Sequence, residues 1–122
     1  MKKMVAVLLG AALLVTAAPA SGATPAYKHY AACGVSEKAK PSHSCSKKSK
    51  KGAFFKSLHA DVFYKVCVRF PTGKAICTDE AQEAEQGTLY VNKITSNIPG
   101  KHRVTWFVGG KRVGVFIFTV TD

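Results

Sequence analysis

The stretch from Asp61 to Phe70 places an apolar side chain at every second position, and this pattern restricts the fold more than any other feature of the sequence. The apolar positions are Val62, Tyr64, Val66, Val68 and Phe70. A period of two predicts a β-strand with one face buried. Pro71-Thr72-Gly73 follows directly and suits a three-residue hairpin loop, with proline first and glycine at the left-handed third position. The sequence therefore predicts an antiparallel hairpin whose inner face belongs to a core.

The sequence contains four cysteines, and this hairpin indicates how two of them pair. With a three-residue loop, Cys67 lies opposite Cys77 and Val68 lies opposite Ile76, so the apolar faces agree. A two-residue loop would instead set Val68 against Cys77. Side-chain parity therefore predicts a cross-strand disulfide between Cys67 and Cys77 on the outer face, which the geometry of such bonds allows.

The other two cysteines, Cys33 and Cys45, pair by elimination. An even number of cysteines in a small exported chain is typical of disulfides. A zinc site is the weaker alternative, since His43 lies two residues before Cys45 but the sequence contains no Cys-x-x-Cys. We expect two disulfides, no metal site and no cofactor.

Residues 1–23 have the layout of a secretory signal peptide. A positive start precedes an uncharged apolar stretch, and two small-x-small motifs lie between Ala18 and Ala23. This layout predicts cleavage on export, which leaves the chain from Thr24 onward. The apolar stretch is too short to span a bilayer, which takes about 20 apolar residues. We therefore expect one small domain that is secreted, in the medium or at the cell surface, with no transmembrane segment.

Basic residues are concentrated in the front part of this exported chain. The full sequence has 18 Lys and Arg against 7 Asp and Glu. Residues 24–60 hold eight lysines and a single acidic residue, Glu37. We interpret residues 24–52 as a basic Ser/Lys-rich segment that is largely loop and partly disordered, and residues 53–122 as the folded domain.

Four lysines at the end of the basic segment form the predicted polyanion-binding site. They are Lys47, Lys48, Lys50 and Lys51. Clustered positive charge attracts anionic polymers, so the predicted partner is an anionic cell-wall polymer or an acidic glycan. Export argues against nucleic acid as the physiological partner. A Ser/Lys-rich run is more often only a solvated, solubilising stretch, and this interpretation stays open beside the binding site. The sequence leaves the oligomeric state open.

An acidic stretch, residues 79–86, follows the hairpin. It is helix-prone, so Asp79 is predicted to cap one or two helical turns that Gly87 ends. The stretch lacks the Asp-x-Asp-x-Asp-Gly pattern of a calcium loop, and a solvated connection is expected instead. Residues 88–95 follow as a predicted strand.

Residues 101–108 alternate again, with Val104 and Trp106 on one face, and Gly109-Gly110 then predicts a two-residue hairpin. The last strand, residues 111–121, is apolar on both faces. Either a bulge near Gly114 changes which side chains of the strand point inward, or the strand is covered on both sides. We favour the bulge. Without a bulge, three phenylalanines would share an outward face with three cations, which would suit a glycan or a single-stranded nucleic acid. That set is Phe107, Phe116 and Phe118 with Lys101, Arg103 and Arg112. We expect instead that these phenylalanines belong to the core.

Short strands, tight turns and a single Trp indicate an all-β fold, a small antiparallel β-sandwich. Residues 100–120 resemble the last two strands of bacterial immunoglobulin-like domains, which run from a glycine to Val-x-Trp, turn at glycine and end in Phe-x-Val. The matching positions are Val104, Trp106, Gly110, Phe118 and Val120. The resemblance implies an immunoglobulin-like β-sandwich after the signal peptide and no particular site. The whole chain is also similar to small, basic, exported actinobacterial proteins without an assigned role.

The sequence shows no recognisable catalytic motif. His59 and Asp61 lie close together, but such a pair at a strand start is more often a turn contact than part of a triad. We expect a binding protein and not an enzyme. One alternative is a secreted effector, either a protease inhibitor that acts through the loop between Cys33 and Cys45 or a basic antimicrobial protein. Another is a carrier that holds a small molecule between the sheets.

Overall fold

The structure, a computed structural model, describes residues 26–122, so the predicted signal peptide lies outside the described residues. This part of the chain contains nine strands and no helix, and therefore no helix that could cross a membrane. The strands are β1 (Tyr27–Ala32), β2 (Ser44–Ser46), β3 (Lys51–Ser57), β4 (Val62–Arg69), β5 (Ala75–Cys77), β6 (Gln82–Ala84), β7 (Leu89–Ile94), β8 (Gly100–Val108) and β9 (Lys111–Thr121). The prediction of an all-β fold is confirmed.

The strands form two sheets. The larger sheet has the order β2-β9-β8-β4-β5, and β6 pairs with β4 beside this path. The smaller sheet has the order β1-β3-β7. Neighbouring strands run antiparallel except β2 and β9, which are parallel. The basic front segment therefore contributes strands to both sheets.

One hydrophobic core joins the inner faces of the two sheets. Its members from the small sheet are Ala31, Ala53, Phe55 and Ile94, and those from the large sheet include Tyr64, Val66, Val104, Trp106, Phe118 and Val120. Trp106 is fully buried. Burying a large apolar side chain stabilises a fold by about 1.5–3 kcal/mol, so these alternating positions decide which face of each strand points inward.

The predicted hairpin and its register are confirmed. Cys67 is the partner of Cys77, and Val68 is the partner of Ile76. The structure contains the disulfide Cys67–Cys77 that side-chain parity predicts and the disulfide Cys33–Cys45 that follows by elimination. The second hairpin turns at Gly109 and Gly110, whose φ angles of 59° and 79° lie in the left-handed region that glycine favours.

The interpretation of residues 24–52 as largely loop is wrong for Tyr27–Ala32, which form a six-residue strand. A boundary after residue 52 would also divide β3, which begins at Lys51. The sequence pattern does not show β1 because its buried residues are only the last three, and these lie on both faces of the strand. Ala31 packs in the main core, whereas Tyr30 and Ala32 form a second cluster with Phe54 on the opposite face.

The predicted helical turns in residues 79–86 are also wrong. Gln82–Ala84 form the short strand β6, which pairs with the edge of β4. Ala84 is fully buried in the core, while its neighbours Gln82 and Glu83 are exposed. Helix propensity is a weak preference, and the strand pairing and burial of Ala84 override it here.

The favoured bulge in the last strand is confirmed. The register of β9 against β8 shifts between Arg112 and Gly114, and beyond that shift Phe116 and Phe118 turn inward. The expectation that these two phenylalanines belong to the core is thus confirmed, whereas Phe107 stays on the outer face as the direct partner of Arg112. The bulge therefore separates a core-forming half of β9 from an outward cation.

Candidate binding surfaces

The turn between β2 and β3 carries three exposed lysines, Lys47, Lys48 and Lys50, and we call it the lysine turn. The carbonyl of Ser46 accepts hydrogen bonds from the backbone N–H of Ser49 (3.1 Å) and from its hydroxyl (2.7 Å). The hydroxyl of Ser46 accepts a further bond from the N–H of Lys48 (3.1 Å). Such local serine bonds are typical of tight turns, so the three ammonium groups project from a defined backbone.

Lys51, the fourth member of the predicted polyanion site, is buried, with 1% of its surface exposed. Its ammonium donates to the carbonyls of Lys47 (3.4 Å) and Ser49 (2.7 Å) and to Asn97 Oδ1 (3.1 Å). Burial lowers the pKa of Lys51, because removal from water disfavours its charged form. The prediction that Lys51 binds a polyanion is therefore wrong. Its ammonium stabilises the backbone of the lysine turn from the inside and is not accessible to an external partner.

Lys93 of β7 borders the same surface as the lysine turn. An open groove of about 560 Å³ lies between Lys93 and the three exposed lysines, and Asn97 also lines it. Lys93 reaches this place because β7 pairs with β3, where Gly52 is its partner. No sequence signal points to Lys93, since the nearest turn lysine is more than forty residues away in the chain.

All three arginines of the sequence line one groove on the outer side of the large sheet, a surface that we call the arginine face. Arg69 ends β4, Arg103 lies in β8 and Arg112 lies in β9. The groove has a volume of about 550 Å³, and none of the residues that line it is acidic. Three strands far apart in the sequence thus bring their arginines to one surface.

Strand register fixes the relative positions of the arginines. Arg69 is the direct partner of Arg103, and Arg112 is the direct partner of Phe107. Direct partners share one face of a sheet, with Cβ atoms about 4.5–5.5 Å apart. Arg69 Nη1 also donates to the carbonyl of Gly73 (2.8 Å), which ties this guanidinium to the hairpin turn. Like charges directly opposite each other destabilise a sheet, so a bound anion would relieve the Arg69–Arg103 pair.

Thr105 and the disulfide Cys67–Cys77 line the groove between the two ends of the arginine face. Cys67 is the register partner of both Thr105 and Cys77. Beyond Phe107, a second groove of about 370 Å³ continues to Phe63, which is 60% exposed. The arginine face is therefore extended by exposed aromatic surface.

A serine–histidine pair lies inside the core. Ser96 Oγ is 2.7 Å from His102 Nε2, and His102 Nδ1 is 3.1 Å from the carbonyl of Gly100. Because a carbonyl only accepts, Nδ1 carries the hydrogen and Nε2 accepts from the Ser96 hydroxyl. The rings of Phe70 and Phe118 lie against the imidazole, and burial lowers the pKa of His102. The pair thus connects the loop before β8 to the core, and its hydroxyl is not presented to a substrate.

The other polar candidates from the sequence are also dispersed. Asp61 Oδ1 accepts a hydrogen bond from the N–H of Gln86 (2.8 Å), which ties the turn before β7, and His59 is exposed. His43 Nδ1 is 2.6 Å from the carbonyl of Ile117. All four cysteines form disulfides, so none is a free thiol. Within residues 26–122, no group of three or more His, Cys, Asp or Glu is placed to hold a metal ion.

An apolar pocket of about 160 Å³ lies between the edges of the two sheets. Val68, Phe70 and Ile76 line it from the large sheet, and Ile94 lines it from the small one. Small-molecule sites usually have volumes of about 300–1,000 Å³. This pocket therefore has room for only a very small ligand.

No protein-family model and no curated protein matches the sequence. Among solved structures, the chain is similar to an immunoglobulin-like protein (PA1606) of Pseudomonas aeruginosa, with a TM-score of 0.48, 15% identity, and 76% of this chain and 96% of that chain covered. It is also similar to the alkylpurine DNA glycosylase AlkC of Pseudomonas fluorescens, in a structure bound to DNA with an abasic site analog. There the TM-score is 0.43, the identity is 16%, and 80% of this chain and 31% of that chain are covered. Likenesses of this distance assign neither a function nor a site.

Proposed function

We propose that this protein is an exported, non-catalytic binding protein with an immunoglobulin-like β-sandwich, held near the cell surface by an anionic polymer. The observation that carries the proposal is the lysine turn, which displays three exposed ammonium groups on one short turn beside Lys93. Clustered cations of this kind raise the local concentration of a polyanion and speed its binding.

The buried ammonium of Lys51 supports this role indirectly. It holds the carbonyls of Lys47 and Ser49 from below, so the backbone of the turn is fixed while the neighbouring lysines point outward. A buried charge is costly unless it is well paired by hydrogen bonds. The three acceptors of the Lys51 ammonium therefore indicate that the neighbouring exposed lysines lie on an ordered turn and not on an unstructured basic segment.

Two further features support the remaining parts of the proposal. Two disulfides in a small domain are typical of proteins that work outside the cytosol. The hydroxyl of Ser96, which lies 2.7 Å from His102 Nε2, is engaged in the core and has no open approach for a substrate. Both features fit a protein that is exported and acts by binding.

Co-sedimentation of the purified protein with isolated cell walls, at low and at high salt, tests the proposal. We expect binding at low salt that falls as salt rises, because exposed charge pairs are screened within about 10 Å at 0.1 M ionic strength. The variant Lys47→Gln/Lys48→Gln/Lys50→Gln should lose this retention. The matched control is Lys28→Gln/Lys38→Gln/Lys40→Gln, which removes the same charge from other exposed positions. Equal retention of the two variants would exclude the lysine turn as the polymer contact.

Protease inhibition is the second candidate function, because the loop between Cys33 and Cys45 is held at several points. Besides the disulfide, a β-bridge joins Ala32 to Pro41, and the N–H of Ala39 donates to the carbonyl of Ser36 (2.9 Å). Lys38 is exposed on the turn that this bond closes. A trypsin-like protease takes a basic side chain in its specificity pocket.

A trypsin inhibition assay tests this second candidate. The protein should inhibit at stoichiometric amounts, Lys38→Ala should abolish inhibition, and Lys28→Ala should leave it intact. Absence of inhibition by the wild-type protein, or an unaffected Lys38→Ala variant, would remove the loop from the account.

A further inference from the structure

We infer that the arginine face is a separate binding site for an acidic glycan, in which the guanidinium groups hold an oxyanion of the sugar and Phe107 packs against the sugar ring. The oxyanion is a carboxylate or a phosphate. This site lies on the outer face of the large sheet and shares no residue with the lysine turn. The inference therefore does not depend on the lysine turn.

The choice of basic residue is the first support. The sequence has only three arginines among its 18 basic residues, and all three line this groove. Lysine supplies a strongly hydrated point charge, whereas arginine presents a planar fork that binds carboxylate or phosphate with two parallel hydrogen bonds. Solubility alone would be served by lysine, so arginine at these positions indicates recognition of an oxyanion by two hydrogen bonds.

The placement of the arginines is the second support. Arg69 and Arg103 are direct cross-strand partners, an arrangement of like charges that is unfavourable in an empty sheet. No acidic residue lines the groove to neutralise them. The bond from Arg69 to the carbonyl of Gly73 keeps one guanidinium in place before an anion arrives. Sequences break such local rules mainly where function requires it.

The aromatic surface is the third support and sets the size of the ligand. Phe107 lies opposite Arg112, and the adjoining groove leads to Phe63. Along β4, the outer face from Phe63 to Arg69 spans about 20 Å, since a strand rises about 3.3 Å per residue. A single small anion would occupy only one end of this length. A polymer with rings and spaced oxyanions would contact both the cations and the phenylalanines.

The compartment decides between an acidic glycan and a single-stranded nucleic acid, which the same combination of rings and cations would also suit. The two disulfides are typical of an oxidising environment. Acidic polysaccharides and wall polymers are the abundant polyanions there. We therefore assign the arginine face to a glycan.

The test measures equilibrium binding of the folded protein to four probes at a salt concentration high enough to screen surface charge. The probes are polygalacturonate, phosphorylated dextran, neutral dextran and an oligothymidylate. We expect polygalacturonate or phosphorylated dextran to bind more tightly than the oligothymidylate, and neutral dextran not to bind. Which of the first two binds more tightly identifies the oxyanion as carboxylate or phosphate.

Variants then locate the site. Arg103→Lys/Arg112→Lys keeps the charge and leaves the Arg69–Gly73 bond in place, and it should weaken the preferred glycan about tenfold, because bidentate contacts are lost. Phe107→Leu should weaken the same glycan with the fold intact, as checked by the thermal midpoint. Lys47→Gln/Lys48→Gln/Lys50→Gln should bind the glycan like the wild type at this salt. The inference is overturned if no glycan binds, if the oligothymidylate binds most tightly, or if the arginine-to-lysine variant binds like the wild type.

Discussion

The lysine turn and the arginine face are both positively charged, but the chain builds them in different ways. The lysine turn is local, since Lys47, Lys48 and Lys50 lie within four consecutive residues. The arginine face joins residues 69, 103 and 112, which only the pairing of β4, β8 and β9 brings together. A charge run is visible in the sequence, whereas a charged surface made by strand register is not. The difference shows why the sequence pointed to the first surface and only partly to the second.

The two surfaces also differ in how firmly they hold their cations. Lysine side chains on a turn are long and flexible, and exposed charge pairs of this kind contribute about 0–1 kcal/mol each. Arginines on paired strands have fixed spacing, and their planar, pre-organised guanidinium groups lose less rotamer entropy for each hydrogen bond that they form. We therefore expect salt-sensitive attraction at the lysine turn and salt-resistant recognition at the arginine face.

The largest expected effect comes from disturbing β9, the strand that brings Arg112 to the arginine face. Gly114 follows the bulge, and a Cβ at this position would overlap the imidazole of His29, which packs against Trp106. Gly114→Ala should therefore lower the free energy of unfolding by about 3 kcal/mol, the upper part of the range for overpacking. Urea denaturation measures this loss.

Two further variants isolate the cause in Gly114→Ala. Gly34→Ala is the matched control, since a Cβ there would meet only Ala39 at an ordinary distance of 3.4 Å. Combining Gly114→Ala with His29→Ala should recover part of the loss, because the two side chains compete for one space. Simple additivity of the two substitutions would contradict the overlap.

The lysine turn has its own structural dependence, which is smaller. Lys51→Met removes the ammonium and leaves the carbonyl of Ser49 and the amide oxygen of Asn97 without this donor. We expect a loss of about 1–3 kcal/mol in the free energy of unfolding, the cost of leaving buried acceptors unpaired. Lys50→Met, an exposed neighbour, should change it by less than about 0.5 kcal/mol. Equal effects of the two variants would mean that Lys51 does not fasten the turn.

Acidification should destabilise the fold through His102, which is buried in the core. His102 precedes Arg103, and its pKa is lowered by burial and by the nearby charge of Lys51, although its bond to Gly100 opposes the shift. The unfolded chain therefore binds a proton at this histidine more readily than the folded one. The contribution of His102 to the free energy of unfolding is fully present above about pH 6.5 and falls as the pH drops below that value.

Urea denaturation as a function of pH checks this effect. His102→Asn should reduce the loss of unfolding free energy on acidification. Burial also lowers the pKa of His29, so part of this pH dependence should remain in the variant. His59→Gln removes an exposed histidine and serves as the control. A loss of stability on acidification that His102→Asn leaves unchanged would assign the effect to other groups.

The smallest expected effect separates charge from geometry. Changing Lys47, Lys48 and Lys50 to Arg should leave wall binding at low salt within about threefold of the wild type, since the net charge is unchanged and screening governs this contact. Thermal midpoints should stay unchanged. A large gain in salt-resistant binding would show that guanidinium groups on the turn also recognise the polymer, and the two surfaces would then not differ in kind.

Much of the fold was predictable because it depends on local patterns. The alternation in residues 62–70 and the Pro71–Gly73 turn fixed the register of the first hairpin and placed Cys67 opposite Cys77. The surplus of apolar residues after Gly110 predicted the bulge. Strands β1 and β6 were not predictable. The buried residues of β1 are only its last three and lie on both faces, so they show no alternation, and β6 is helix-prone in isolation.

The candidate sites were predictable only where chain neighbours form them. The exposed part of the lysine turn follows from the sequence, but the burial of Lys51 depends on Asn97, which lies in a different loop. Two members of the arginine face, Arg103 and Arg112, appeared beside Phe107 in the alternative without a bulge. Arg69 did not appear there, because its place opposite Arg103 requires the pairing of β4 with β8.

The most direct test of this claim is a nuclear magnetic resonance titration of the isotope-labelled protein with an acidic oligosaccharide, either oligogalacturonate or a phosphorylated dextran oligosaccharide, at high salt. The account predicts that the largest amide shift changes lie on β4, β8 and β9 around Thr105, with small changes at Lys47, Lys48 and Lys50. Shift changes confined to the lysine turn, or spread evenly over all basic residues, would contradict the claim that register assembles a specific site on the outer face.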